Sequence, residues 1–188
     1  MSILSLLSVM SFGSTYAQTA KEDKTTDVTV QITAGNLSIG INNNETLDFG
    51  SFGIPTVATP QTKKFTENFR VEDMEGAEAG YYTTLGMSGD LTSAGGESIS
   101  AANLAIRATD AISVIDGTTN SNVKVNSTMS SNFASLGGNA VTFIERGQDA
   151  SGRVGKYGVK PEMELTIPAY QSVGSYSGTL VYTLYENI

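Results

Sequence analysis

The sequence predicts an all-β protein, a single-domain antiparallel β-sandwich of the immunoglobulin-like or jelly-roll-like kind. Three observations predict this fold class. Apolar and polar residues alternate in many short runs, and Gly, Asn, Asp and Pro separate these runs. The 188 residues also include 20 Gly but only 16% charged residues. This composition is poor in helix formers, and short strands with frequent turns are typical of sandwiches.

Ten segments carry the strand pattern. The alternation is clearest near the start, where Val28, Val30 and Ile32 are separated by polar residues. A side chain at every second position lies on the same face of a strand, so each segment can bury one face. The predicted strands cover residues 28–32, 37–41, 65–71, 81–87, 104–108, 112–115, 123–125, 141–144, 163–167 and 176–185.

Three further segments are interpreted differently. Residues 91–101 are rich in Gly and Ser, so we predict a loop there. Residues 101–111 fit a strand, but they also allow a helix. Asp116 and Gly117 form a dipeptide that is typical of a tight hairpin turn.

The N-terminal residues predict export. Residues 1–20 carry no charge, and an apolar run of about a dozen residues ends in small residues around Ala17. We therefore predict a secretory signal peptide at 1–17, a polar arm at 18–27 and the sandwich domain at 28–188. A buried strand or an amphipathic helix is the alternative for the apolar run. No later segment is apolar enough over about 20 residues to span a membrane, so we expect a secreted protein at the cell surface.

The missing residue types exclude several function classes. The chain has no His, no Cys and no Trp. It therefore lacks a Ser-His-Asp triad, a thiol nucleophile, a disulfide and a zinc site of the usual kind. A net charge of −8 argues against a nucleic-acid partner, because clustered Lys and Arg neutralise phosphates. We expect a non-catalytic protein without a cofactor or a metal ion.

A hydrolase remains as an alternative through carboxylates alone. Glycoside cleavage needs two Asp or Glu side chains that face one cleft. Glu72 with Asp73, or Glu162 with Glu164, are the pairs that the sequence offers. Acidic residues in loops and at strand edges are usually solvated, so the sequence favours a non-enzyme.

Tyrosines are the candidate binding residues, because their rings combine an apolar face with a polar tip that suits sugars or proteins. Several of them cluster in the segments 81–87 and 176–185. Core packing is the alternative role, and we favour it for Tyr182 and Leu184. The candidate residues for binding a ligand or the cell wall are Tyr81, Tyr82, Leu85, Tyr182, Leu184 and Tyr185.

The N-terminal strand offers a second kind of contact. It can pair with the edge of its own domain, or it can enter a neighbouring copy and complete the sheet of that copy. In the second case Val28, Val30 and Ile32 fill pockets, and the head-to-tail contact builds a fibre. The sequence leaves both outcomes open.

Several short motifs resemble the WxL family of Gram-positive cell-surface proteins. In that family a Trp-any-Leu motif closes each of two regions. Tyr182-Thr183-Leu184 resembles the second motif with Tyr in place of Trp, while Thr83 and Leu85 stand at the first. The similar segments are Leu47-Asp48-Phe49-Gly50, residues 69–73, residues 80–85, residues 165–168 and residues 174–184.

The resemblance implies a secreted, β-rich, non-enzymatic protein that is held non-covalently on the cell wall through peptidoglycan. The expected partners are therefore cell-wall polysaccharide or neighbouring copies of the chain. The same strand pattern is similar to that of secreted fibre subunits that polymerise by strand donation. An extracellular filament or pilus subunit is accordingly the alternative function.

Overall fold

The computed structural model describes residues 29–41, 45–151 and 153–186. Within these ranges the protein is nearly all β, which confirms the predicted fold class. Two short helical elements accompany the strands, a 3₁₀ turn at Ala101–Asn103 and α1 at Ser127–Ser131. The strands are Leu37–Ile41 (β1), Thr59–Lys64 (β2), Phe69–Asp73 (β3), Tyr81–Met87 (β4), Leu91–Ser93 (β5), Ser98–Ile99 (β6), Leu104–Arg107 (β7), Ser113–Gly117 (β8), Val123–Val125 (β9), Ala134–Ser135 (β10), Val141–Arg146 (β11), Gly155–Val159 (β12), Glu162–Ile167 (β13), Tyr176–Ser177 (β14) and Leu180–Glu186 (β15).

The described strands form four sheets in which every pair is antiparallel. Sheet A has the order β1-β3-β12-β8, and sheet B has the order β10-β7-β13-β2. Sheet C has the order β15-β4-β11-β9, and the small sheet D has the order β14-β5-β6. Most neighbours in space are therefore distant in sequence, as in a sandwich with long connections.

Sheets A and C pack face to face around an aromatic cluster. Phe69 of β3 contacts Phe143 of β11 and Tyr182 of β15, with ring centroids 6.0 and 5.5 Å apart. The rings of Phe143 and Tyr182 lie 6.0 Å apart with an angle of 72° between their planes. All three pairs of this triangle therefore meet edge to face. Such pairs contribute about 0.5–1.5 kcal/mol each beyond the area they bury.

Sheet B adds a second apolar layer to the same core. Leu104 and Ile106 of β7 and Leu165 of β13 point inward and are buried. Pro60 is accommodated in β2 because β2 is the edge strand of this sheet, where a missing backbone N–H breaks no ladder.

The structure describes residues 29–32 of the predicted strand at 28–32, and these residues form no strand. Residues 29–36 lie in no strand, and the side chains of Val30 and Ile32 are 85% and 89% exposed. A compact unit runs over Thr33–Ile188. The predicted signal peptide at 1–17, the arm at 18–27 and Val28 lie outside the described residues.

Several local predictions need correction. Residues 91–101 contain the hairpin β5–β6 rather than a loop. In 101–111 the predicted strand is present as β7, and the alternative helix is only a 3₁₀ turn before it. Asp116 and Gly117 do not join two paired strands, because β8 pairs with β12 in sheet A while β9 belongs to sheet C.

Gly117 is needed at the end of β8 for another reason. Its φ is +88°, and an added Cβ would lie 2.7 Å from Cα of Gly155 on the paired strand. Both the backbone conformation and the close approach of the two strands therefore require Gly.

Candidate functional site

The two tyrosine-rich segments are paired strands. β4 and β15 lie side by side in sheet C, with Tyr185 opposite Tyr82 and Tyr182 opposite Leu85. The pairing brings all six candidate binding residues together. It also places them on opposite faces of the sheet, since neighbouring residues of a strand alternate.

Four of the six candidates face the core. Tyr81 and Leu85 are 1% and 0% exposed, so they cannot contact a ligand at the surface. Tyr182 and Leu184 are partly buried and pack against the same core, which agrees with the packing role that we favour for them. The Tyr182 hydroxyl donates a 3.3 Å hydrogen bond to the Arg70 carbonyl oxygen on sheet A, and burial raises the pKa of Tyr182.

Tyr82 and Tyr185 face outward and stack on each other. Their ring centroids are 4.9 Å apart with an angle of 12° between the planes, and Tyr185 is 44% exposed. On the other side of Tyr82, Glu145 of β11 accepts a 3.1 Å hydrogen bond from the Asn126 side chain. The stack joins Tyr185 on the edge strand β15 to Tyr82 on the neighbouring strand β4.

A depression of about 250 Å³ lies beside Tyr185 on the outer face of sheet C. Its lining includes the hydroxyl-bearing residues Thr84 and Thr183 and, from an overhanging loop, Asn139. The loop comes close because β4 carries Gly86 here, where an added Cβ would lie 3.1 Å from the Ala140 Cβ. We call Tyr82, Thr84, Thr183, Tyr185 and Asn139 the tyrosine surface.

Thr83, which stands at the aromatic position of the first WxL-like motif, has a structural role. Its hydroxyl accepts a 2.9 Å hydrogen bond from the Ile144 N–H and lies 3.1 Å from the Ile144 carbonyl oxygen. The register between β4 and β11 shifts at this point, which leaves the Ile144 backbone without a ladder partner on β4. The buried hydroxyl replaces the missing backbone bonds.

Three of the four carboxylates named from the sequence, Glu72, Asp73 and Glu162, are engaged in ion pairs. Asp73 is buried and lies 2.5 Å from the Arg146 guanidinium, which links sheet A to sheet C. Glu72 pairs with Arg70 at 2.9 Å, and Glu162 pairs with Arg107 at 2.7 Å. In the described ranges, no group of three or more acidic side chains is arranged to hold a metal ion.

The Arg146 guanidinium has further partners inside the sandwich. It donates hydrogen bonds to the carbonyl oxygens of Ala77, at 2.8 Å, and of Ala79. It also lies 5.1 Å from the ring centroid of Tyr81. These contacts give the buried guanidinium group a counter-ion and hydrogen-bond acceptors, which a charge needs when it is removed from water.

A second surface lies where sheets A and C end. On one side of the sandwich the edge strands β1 and β15 contact each other. On the other side a groove of about 460 Å³ lies between the edge strands β8 and β9. We call it the edge groove, and its lining includes Ile112, Val114, Val123 and Val125.

In comparisons with known proteins, no family model, curated protein or solved structure matches the chain. The resemblance to the WxL family therefore remains a prediction from the motifs. Of the described helices, none has the length and apolar character that crossing a bilayer requires. The tyrosine surface and the edge groove are the features from which a function can be argued.

Proposed function

We propose that the protein is a secreted, non-catalytic cell-surface protein that binds cell-wall polysaccharide, non-covalently, through the tyrosine surface. The observation that carries the proposal is the stacked pair Tyr82–Tyr185 beside a depression whose lining mixes apolar side chains with the polar Thr183 and Asn139. The proposed setting is the cell wall, as the WxL resemblance implies, and peptidoglycan is the first ligand to test.

The chemistry of the surface suits a saccharide. A sugar ring presents an apolar C–H face and a rim of hydroxyl groups, which complement an aromatic ring and short polar side chains. Tyr185 offers such a ring, and Thr183 and Asn139 offer donors and acceptors next to it. Because the Tyr185 ring already packs against Tyr82, binding has to order it less than a free ring, which lowers the entropy cost.

The state of the acids supports a non-catalytic role. A glycosidase holds one carboxylate as a general acid and another as a nucleophile or base facing the same cleft. Here Asp73 is closed inside the sandwich with Arg146, and the Glu72 carboxylate is engaged by Arg70 and Lys156. As neighbouring residues of β3, Glu72 and Asp73 also lie on opposite faces of sheet A, so the two carboxylates do not face one cleft.

The test is co-sedimentation of the full chain with purified, protein-free peptidoglycan. We expect the wild-type protein to sediment and Tyr185→Ala to bind about two- to tenfold more weakly, since an aromatic contact contributes about 0.5–1.5 kcal/mol. Tyr170→Ala is the matched control, because Tyr170 is a 75% exposed tyrosine outside the tyrosine surface.

Two results would refute the proposal. One is a wild-type protein that stays in the supernatant at every concentration of peptidoglycan. The other is equal binding by wild-type and Tyr185→Ala protein, because the contact would then lie elsewhere on the molecule.

A further inference from the structure

The edge groove is bordered by two strand edges that are open in the described structure. β8 pairs with β12 on one side, and β9 pairs with β11 on one side. No described strand pairs with the other edge of either one. Open backbone edges are sites for pairing with a further strand.

The groove between these edges is apolar and accessible. Ile112 and Val114 line it from the side of β8, and Val123 and Val125 line it from β9. All five residues of β8 are exposed, with Val114 at 39%. Its volume lies within the roughly 300–1,000 Å³ typical of ligand pockets, although it is more open than such a pocket.

The N-terminal segment has the complementary pattern. Val28, Val30 and Ile32 recur at every second position, so in a strand they share one face. The described members Val30 and Ile32 are almost fully exposed and lie in no strand. An exposed apolar face on an unpaired segment is stabilised by entering a groove of this kind.

We propose that residues 28–32 of a second copy of this chain bind in the edge groove as an added strand. Val28, Val30 and Ile32 contact the apolar lining, and the donated backbone pairs with an open edge of β8 or β9. The main-chain hydrogen bonds and the buried aliphatic side chains together supply the affinity.

The donor is a second copy because the link between residues 28–32 and β1 is too short for a chain to place this segment in its own edge groove. Residues 35 and 36 are fixed beside the end of β3, where the Gly35 N–H donates to the Met74 carbonyl oxygen at 2.7 Å. They continue β1, which lies three strand spacings, or about 14 Å, from β8. The three residues from Ile32 to Gly35 span at most about 11 Å.

The contact is therefore heterologous. Each copy offers its segment at one position and its groove at another, so the same contact repeats head to tail. Such a contact produces an open chain of subunits unless the rotation happens to close a ring. In the open arrangement the protein would be a fibre-forming subunit as well as a polysaccharide-binding protein.

Disulfide trapping tests the proposal directly, because the native chain has no Cys. Single variants Val28→Cys, Val30→Cys and Ile32→Cys are each mixed with Val114→Cys and oxidised. We expect at least one mixture to shift to a disulfide-linked dimer on a non-reducing gel. Thr29→Cys and Gln31→Cys, which lie on the opposite face of the donated strand, should not shift with Val114→Cys.

Ile115→Cys is the matched control on the groove side. Ile115 is 44% exposed and follows Val114 in β8, but it lies over Gly158 on the outer face of sheet A rather than in the groove. Equal linkage to Val114→Cys and Ile115→Cys would overturn the proposal, as would the absence of any linked dimer. A chain that carries both cysteines and closes an internal disulfide as a monomer would overturn the assignment to a second copy.

A second measurement does not depend on cross-linking. Sedimentation velocity of the full chain should show oligomers that are lost in Val30→Asp/Ile32→Asp but kept in Thr29→Asp/Gln31→Asp. Retained oligomers in the first double variant would contradict the proposal. Tyr185→Ala should leave the oligomers unchanged, so failure of the saccharide proposal and failure of strand donation are distinguishable.

Discussion

Tyr81 and Tyr157 differ by one hydrogen bond, and this difference predicts opposite effects of the same substitution. The Tyr157 hydroxyl donates to the Thr118 carbonyl oxygen at 2.7 Å, whereas the buried Tyr81 hydroxyl has no hydrogen-bond partner among the described residues. An unsatisfied buried polar group costs about 1–3 kcal/mol. Tyr81→Phe should therefore raise the free energy of unfolding, while Tyr157→Phe should lower it by about 1 kcal/mol.

Urea denaturation followed by circular dichroism measures both changes. A Tyr81→Phe protein that is at least 1 kcal/mol less stable than wild type would contradict this prediction, because it would show that the Tyr81 hydroxyl makes a stabilising hydrogen bond.

The pair Asp73–Arg146 is the most deeply buried ion pair among the described residues. Both side chains are 2% exposed, so removing the negative charge leaves the Arg146 guanidinium buried without its counter-ion. We expect Asp73→Asn to lower the free energy of unfolding by about 3–5 kcal/mol.

The matched control is Asp110→Asn. Asp110 pairs with Lys64 at the similar distance of 2.6 Å, but both of those side chains are 46% exposed. Solvent screens that pair, so we expect a loss of at most about 1 kcal/mol. Guanidinium denaturation measures the free energy of unfolding of both variants. Equal losses in Asp73→Asn and Asp110→Asn would contradict the claim that burial makes the Asp73–Arg146 pair the more important one.

At the scale of single elements, alternation predicts strands where one face is buried. β3 and β13 fit this rule, since every second residue of each is buried. β2 has no buried residue and carries Pro60. Its sequence therefore shows no alternation of apolar and polar residues from which a strand could be predicted. β12 contains Gly155 and Gly158, which hide the alternation of its side chains.

The two glycines of β12 lie in crowded positions. An added Cβ at Gly155 would lie 2.7 Å from the Tyr157 hydroxyl and 3.1 Å from the Asp116 carbonyl oxygen on β8. One at Gly158 would lie 2.9 Å from the Ile115 Cδ1 and 3.1 Å from the Asn68 Cβ, and the exposed Ile115 side chain could move aside. Residues that weaken a strand by propensity thus stand next to atoms of other segments, of which the local sequence carries no sign.

The candidate site was predictable in residue type but not in geometry. The sequence indicates Tyr residues on two strands, and alternation requires that Tyr81 and Tyr82 point to opposite faces. It does not determine which of the two is buried, because that depends on the pairing of β4 with β15 and on packing against sheet A. The edge groove was missed because its residues come from strands of two different sheets.

At the scale of the whole molecule, the buried tyrosines predict a loss of stability in alkaline solution. Burial raises the pKa of Tyr81, Tyr157 and Tyr182 above the ordinary value of about 10. Below pH 10 these residues are neutral in both states. Above it they ionise in the unfolded chain first, so the free energy of unfolding falls as the pH rises.

Denaturation at a series of pH values, combined with ultraviolet absorption of tyrosinate, tests this expectation. The buried tyrosines Tyr81, Tyr157 and Tyr182 should ionise only as the protein unfolds. Ionisation of these three tyrosines in a protein that remains folded would contradict the described core.

The whole molecule presents its two proposed contacts on different parts of the sandwich. The tyrosine surface lies on the outer face of sheet C towards β15, and the edge groove lies at the opposite edges, between β8 and β9. Within one subunit the acceptor groove therefore does not overlap the tyrosine surface. A fibre of such subunits would also bind polysaccharide at many points at once, which raises the apparent affinity without new contacts.

Hydrogen exchange of the protein with and without soluble peptidoglycan fragments shows whether the tyrosine surface binds saccharide. Binding there predicts added protection in β4, β15 and the loop that carries Asn139, with no change in the core strand β13. Protection confined to other strands, or none at saturating concentrations of the fragments, would contradict the assignment of the tyrosine surface as the working part of the protein.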